Sequence, residues 1–263
     1  MSVTRGDFLK QLGRSLPGMV LGGGITAAAQ KVLGKMAAAS GDPLAKESFS
    51  PASDSNPKMT AIAPDAKIEF ITSGPADGNR IALTFDDGPT PGVTDRILDE
   101  LQRRQLYATF FMIGERIAAA PDLARRVMDE GHEVGNHTFT HAKLTALPDA
   151  QAEAEIERTQ EIMAEELQHR AVWFRPPFGL LRQNQAWIVH KAGLRAVLWN
   201  VDSADWSQPG EAKITETVLA ETKPGSIIVC HDLHEQTANS VGAILDGLLE
   251  RGFTPTTLFE LVG

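Results

Sequence analysis

The chain is poor in cysteine and tyrosine, with one of each among 263 residues. A single cysteine excludes an intrachain disulfide and a zinc site built from four thiolates. Cys230 lies inside the run Ile227-Ile228-Val229-Cys230, so it reads as a small buried strand residue rather than a nucleophile. Positive charge is scarce. The 25 Lys and Arg are outnumbered by 34 Asp and Glu, and the net charge of −9 argues against nucleic acid as a partner. No stable membrane span is expected, because the apolar stretch at 15–29 is short and interrupted by glycines. There is no internal repeat.

What is present divides into three parts. Residues 1–39 hold Arg5, Lys10, Arg14, Lys31 and Lys35 against Asp7, a balance of +4 that leaves −13 on the rest. A basic start on an acidic body suggests targeting. Thr4-Arg5-Gly6-Asp7-Phe8-Leu9-Lys10 resembles the bacterial twin-arginine signal, with Gly6 where the second arginine would stand. Small-residue cleavage sites follow at Ala27-Ala28-Ala29 and Ala37-Ala38-Ala39. This reading makes the protein exported, to the periplasm or cell envelope. The competing reading is a frayed or amphipathic N-terminal helix on a cytoplasmic protein. Residues 40–79 read as a linker and lead-in, rich in Ser, Pro, Asp and Ala over 40–66. Residues 80–263 read as one catalytic domain.

Within that domain, strand and helix signals alternate. Apolar, strand-like runs fall at 81–85, 108–113, 133–135, 172–174, 196–201, 227–230 and 253–256. Helical spacing of apolar residues marks 94–104, 122–130, 150–168, 187–192, 214–221 and 241–251. Seven strands alternating with helices imply an α/β fold with a parallel sheet and right-handed crossovers. A closed or distorted barrel fits that count, with an open doubly wound sheet as the competitor. The glutamates of 150–168 read as a solvated face.

Five short motifs carry the chemistry: Thr84-Phe85-Asp86-Asp87-Gly88, His137-Thr138-Phe139-Thr140-His141, Arg175-Pro176-Pro177-Phe178-Gly179, Asp202-Ser203-Ala204-Asp205-Trp206 and Val229-Cys230-His231-Asp232. Most follow a strand-like run, and a barrel gathers its catalytic groups at the C-terminal strand ends. His137 and His141 are four apart, so on a helical turn they would point the same way. Two imidazoles and a carboxylate suit a catalytic zinc. The third ligand is one of Asp86 and Asp87, and the other is free to act as a general base. Arg175 sits before two stiffening prolines, where a fixed cation orients that carboxylate. His231 ends the most apolar strand and is the natural general acid. Asp205 is placed to hold its second nitrogen and favour the imidazolium. Trp206 reads equally as a sugar-stacking or a packing residue. His132, His169, His190 and His234 lack such company and read as structural or exposed.

With Gly131-His132-Glu133-Val134-Gly135-Asn136 before the histidine pair, these motifs resemble the polysaccharide deacetylase family, the NodB-homology domain of carbohydrate esterase family 4. The resemblance covers residues from Arg80 to the C-terminus. It implies a distorted (β/α) barrel that removes N-acetyl, or sometimes O-acetyl, groups from polysaccharides. It implies Asp86 as catalytic base and Asp87, His137 and His141 as ligands of a divalent metal, zinc first, with cobalt or nickel as other options. It implies that Arg175 orients Asp86, that the backbone N–H of Phe178 helps form an oxyanion hole, and that Asp205 tunes the acid His231. Two positions depart from the family pattern: Phe178 stands for a tyrosine, and Val229 for a leucine in the groove wall. The implied substrate is an N-acetylglucosamine-containing polymer or oligomer such as chitooligosaccharide or peptidoglycan. Acetylated xylan, or a non-catalytic role in carbohydrate binding, is the alternative.

Overall fold

The computed structural model describes residues 69–263. The export-signal reading of 1–39 lies outside the described residues, as does most of the 40–79 segment. Among the described residues no helix is long and apolar enough to cross a membrane.

Eight strand segments form one sheet in which every strand pairing is parallel. In chain order, β1 is Arg80–Asp86, followed by helix α1 at Thr94–Arg104 and β2 at Thr109–Met112. Two short helices come next, α2 at Gly114–Ala119 and α3 at Pro121–Asp129, then β3 at Glu133–Asn136 and the long α4 at Asp149–Leu167. Beyond these lie β4 at Trp173–Phe174, α5 at Ala186–Lys191, β5 at Arg195–Ala196 and β6 at Val201–Asp202. The chain ends with α6 at Glu211–Glu221, β7 at Ile227–His231, α7 at Glu235–Glu250, β8 at Thr254–Thr256 and α8 at Leu258–Val262.

The sheet order is β5-β4-β3-β2-β1-β7-β6, with β8 also paired to β1. Residues 80–82 of β1 pair with β8 and residues 84–86 pair with β2, while β7 pairs along 82–86. The run expected as one strand at 196–201 is divided. Its first part pairs with β4 and its last part with β7, so one short stretch supplies both edges of the sheet. That exchange of partner curls the sheet into a distorted barrel. The lead-in stitches the same seam: Ile71 bridges Val197, and Ser73 bridges Ser226 just before β7.

The two-residue period of a strand sorts side chains between two cores. Ile81, Leu83 and Phe85 of β1, Phe110 and Met112 of β2, and Ile228 and Cys230 of β7 face the helices and join the larger core. There they meet Ile97, Leu98 and Leu101 of α1 and the buried face of α7. Each such side chain, fully buried, contributes roughly 1.5–3 kcal/mol. Ala82, Phe111, Trp173 and Ile227 belong to a second core inside the barrel, plugged by Leu258 and Leu261 of α8. Continuing the inward set by twos gives Ala82, Thr84, Asp86 on β1, Ile227, Val229, His231 on β7, and Trp173, Arg175 off β4. Asp86, Arg175 and His231 thus continue the interior column of the barrel at the C-terminal strand ends. Cys230 is on the opposite face, free and buried, as its apolar surroundings imply.

Candidate active site and its metal-binding cluster

Asp86 and Arg175 form a fully interior pair. Arg175 Nη1 donates to Asp86 Oδ1 at 2.6 Å and to Thr84 Oγ1 at 2.7 Å, and Nη2 donates to the Leu198 carbonyl at 3.0 Å. The guanidinium lies over the Phe111 ring at 4.1 Å. Burial pulls its pKa down, and Asp86 opposes that pull. Arg175 has no solvent exposure and Asp86 almost none, so removing either charge leaves the other unpaired at a cost of about 3–5 kcal/mol.

Asp87 has the left-handed φ of 79°. The backbone turn sends its carboxylate away from Arg175 and toward the histidines. Asp87 Oδ1 lies 3.4 Å from His137 Nε2 and 3.2 Å from His141 Nε2. The next residue, Gly88, packs against Asp232: a Cβ there would sit 1.9 Å from Asp232 Oδ2. Asp232 is fully buried, accepts from Thr94 Oγ1 at 2.6 Å, and has its pKa pushed up to about 7 by burial.

His137 and His141 are not on a helical turn. They flank a loop after β3 in which Thr138 and His141 take φ of 65° and 58°. Loop curvature, not i,i+4 spacing, brings their rings to 5.0 Å. His137 Nδ1 lies 2.7 Å from the Arg175 carbonyl. A carbonyl only accepts, so Nδ1 carries a proton and the ring turns its Nε2 toward Asp87.

This donor set fits a divalent cation. Asp87 Oδ1 is buried without a hydrogen-bond partner and faces the Nε2 atoms of both His137 and His141. A carboxylate oxygen and two imidazole nitrogens converging in this way form a ready ligand set for a cation. The ligand atoms of Asp87, His137 and His141 lie within 4.8 Å of one another. Burial alone would raise the pKa of Asp87, but the histidines around it hold it well below the carboxylate range. Burial lowers the pKa of His141, favouring the neutral imidazole that ligates metals.

Opposite this cluster, His231 Nδ1 bonds Asp205 Oδ1 at 2.7 Å. Asp205 Oδ2 accepts the His231 backbone N–H at 2.7 Å and the Thr237 hydroxyl at 2.6 Å. Between the two groups is a cavity of about 430 Å³, lined further by Phe178, Trp199, Asp202, Trp206, Leu233 and His234. Phe178 and Trp206 are 60% and 61% exposed, so Trp206 is a wall residue and not a packing one. Phe178 has φ of 60° and packs edge-on against His141 at 4.8 Å. A larger hollow of about 670 Å³, by Tyr107 and His132, lies at the N-terminal end of β2 and has no converging ligand cluster.

The structure thus gathers Asp86, Asp87, His137, His141, Phe178 and His231 on the wall of one cavity, with Arg175 and Asp205 buried behind Asp86 and His231. His132 is buried and accepts the Ala108 N–H at 3.3 Å, in keeping with a structural role. Sequence reasoning missed His234, which lines the cavity, and Glu155, read as part of a solvated face. His234 reads as structural or exposed; its place three residues after His231 is the one sequence signal for it. Nothing in the sequence separated Glu155 from its neighbouring glutamates.

The polysaccharide deacetylase family model matches residues 73–197. A chitooligosaccharide deacetylase of Rhizobium leguminosarum bv. trifolii is 39% identical over 207 residues, covering 73% of this chain and 96% of the relative. The peptidoglycan-N-acetylglucosamine deacetylase PgdA of Listeria monocytogenes is 36% identical over 70% of this chain, which spans only 39% of that relative's length. Among solved structures, the Bc1960 peptidoglycan N-acetylglucosamine deacetylase superposes with a TM-score of 0.70 at 33% identity, over 73% of this chain and 92% of that one. At 39% identity over nearly the whole length of the Rhizobium relative, and by its fold, this chain belongs to the polysaccharide deacetylase family.

Proposed function

We propose that the protein is a metal-dependent hydrolase that removes N-acetyl groups from N-acetylglucosamine-containing glycans of the chitooligosaccharide or peptidoglycan type. The observation that carries this reading is the division of labour across the cavity. One carboxylate is locked to an interior arginine, its neighbour is turned to a histidine pair, and a carboxylate-held histidine faces both.

A divalent cation held by Asp87, His137 and His141, zinc by preference, would polarise the acetyl carbonyl and make water more acidic. Asp86 is the base that takes the proton of the attacking water, and Arg175 fixes its Oδ1 so that Oδ2 faces the cavity. The backbone N–H of Phe178 supports the developing oxyanion, a role indifferent to the missing tyrosine hydroxyl. His231 donates its proton to the departing amine, and Asp205 keeps it protonated for that step. Phe178 and Trp206 form apolar walls suited to a sugar ring.

An amide is favoured over an acetyl ester because an amine is the poorer leaving group and has more need of the Asp205–His231 acid. A purely binding role leaves the interior Asp86–Arg175 pair and the His231–Asp205 pair without a task. The basic N-terminal segment supports export to the envelope, where such glycans occur. The function is tested by acetate release from chitooligosaccharides, peptidoglycan and acetylxylan with zinc, cobalt or nickel supplied. Release from none of the N-acetylated glycans would overturn it.

A further inference from the structure

Of the six glutamates of α4, three form ion pairs. Glu153 pairs with Lys191, Glu157 with Arg170 and Glu166 with Arg125. Glu155 takes no basic partner among the described residues. Its Oε2 accepts the backbone N–H groups of Phe139 at 3.0 Å and Thr140 at 2.8 Å, and its Oε1 accepts the Thr140 hydroxyl at 2.9 Å. Those residues lie between His137 and His141.

The rest of that loop is held as closely. Thr138 N–H donates to Asn136 Oδ1 at 2.9 Å. The amides of Gly114 and Glu115, at the start of α2, donate to the carbonyls of Thr138 and Phe139 at 2.9 and 3.0 Å. Arg158, one turn along α4 from Glu155, covers the Phe139 ring at 3.6 Å. Two non-glycine residues in this loop are left-handed, a conformation that costs about 1–2 kcal/mol each. A loop so strained relaxes unless its amides are tied from outside, and Glu155 ties two of them.

We propose that Glu155 is a positioning residue for the metal: it clamps the His137–His141 loop in the conformation that sets both imidazoles against Asp87. The inference rests on the metal-site reading above and extends it beyond the three ligands. Partners that orient ligands typically contribute about 10–100-fold in metal affinity.

Charge and reach can be separated. Glu155→Gln loses the charge but keeps the length. Its amide oxygen accepts both N–H groups, and the Thr140 hydroxyl turns to accept from its NH₂. Glu155→Asp keeps the charge but withdraws the carboxylate by one methylene. Zinc affinity is measured by chelator competition on the full chain, with circular dichroism and melting in excess EDTA to establish that each variant is folded. The clamp requires Glu155→Gln to bind zinc with close to wild-type affinity and Glu155→Asp and Glu155→Ala to bind about 10–100-fold more weakly. The Gln and Asp variants bear the test if the Ala variant does not fold. Affinity that follows charge, with Asp at or above Gln, would overturn the clamp, as would unchanged affinity in Ala or Asp. A wild-type chain that binds no metal would overturn the metal reading itself, and this inference with it.

Discussion

His231 and Asp205 are joined twice: the imidazole Nδ1 meets Oδ1 at 2.7 Å and the backbone N–H of the same histidine meets Oδ2 at 2.7 Å. The carboxylate therefore holds both the ring and the strand end that bears it. Burial alone would lower the pKa of His231, but the Asp205 hydrogen bond and charge outweigh it and push the value up from 6.5 to about 9. A general acid works while protonated, so activity is expected to fall as pH rises through about 9. Asp205→Asn should move that alkaline limb to lower pH without removing the metal, and should slow amides more than esters with good leaving groups. The same sign governs stability. The folded-state pKa is the higher one, so the pair's stabilisation is complete below about pH 6.5 and fades as pH rises toward 9. Melting curves from pH 6 to 10 should be flatter over that window in Asp205→Asn. An unmoved limb and an unchanged amide-to-ester ratio would mean that His231 is not the acid.

Asp86→Asn should retain its metal but lose turnover by about 10²–10⁴-fold, the usual cost of removing a general base. The asparagine oxygen still accepts from Arg175, so the fold should persist with a lower melting temperature. Single-turnover kinetics alongside metal analysis check this, and near-normal turnover would assign water activation to another group.

Asp87→Ala and His137→Ala should lose both bound metal and activity. The histidines around Asp87 hold its pKa down, so its removal should also destabilise the apo protein, while abolishing the metal's effect on melting temperature. Elemental analysis showing full metal content in both variants would rule out the proposed ligand set.

Gly88→Ala should destabilise the protein without touching any proposed catalytic side chain. Its Cβ would sit 1.9 Å from a buried Asp232 oxygen, and such overpacking costs about 1–3 kcal/mol. Because the displaced turn carries Asp87, metal affinity should fall with it. Denaturant melts and chelator competition measure the two effects, and wild-type values in both would contradict the close packing.

Export predicts a mature N-terminus near Gln30 or Ser40, read by mass spectrometry of the cell-envelope fraction. An intact terminus at Met1 or Ser2 on a cytoplasmic protein would refute it.

The sequence by itself determined the class of fold and singled out the residues that the structure brings together at one cavity. Alternating apolar runs with motifs at their ends identify an α/β fold with a parallel sheet, because strand period and strand-end placement are local properties of the chain, while closure into a barrel rather than an open sheet is not. Apart from the family resemblance, the sequence left open which of Asp86 and Asp87 meets which partner. That was decided in space: the strand pleat points Asp86 inward to Arg175, 89 residues away, while the left-handed turn at Asp87 sends it to the histidines. Nor did four-residue spacing describe how His137 and His141 meet, since the turn is a loop held by α2 and α4. The run at 196–201 reads as one strand until the sheet closes and gives its two ends different neighbours. Glu155 was indistinguishable from a surface glutamate until the amides it caps came into view. In each case hydrogen bonds between distant segments settled the outcome, and a local pattern does not encode them.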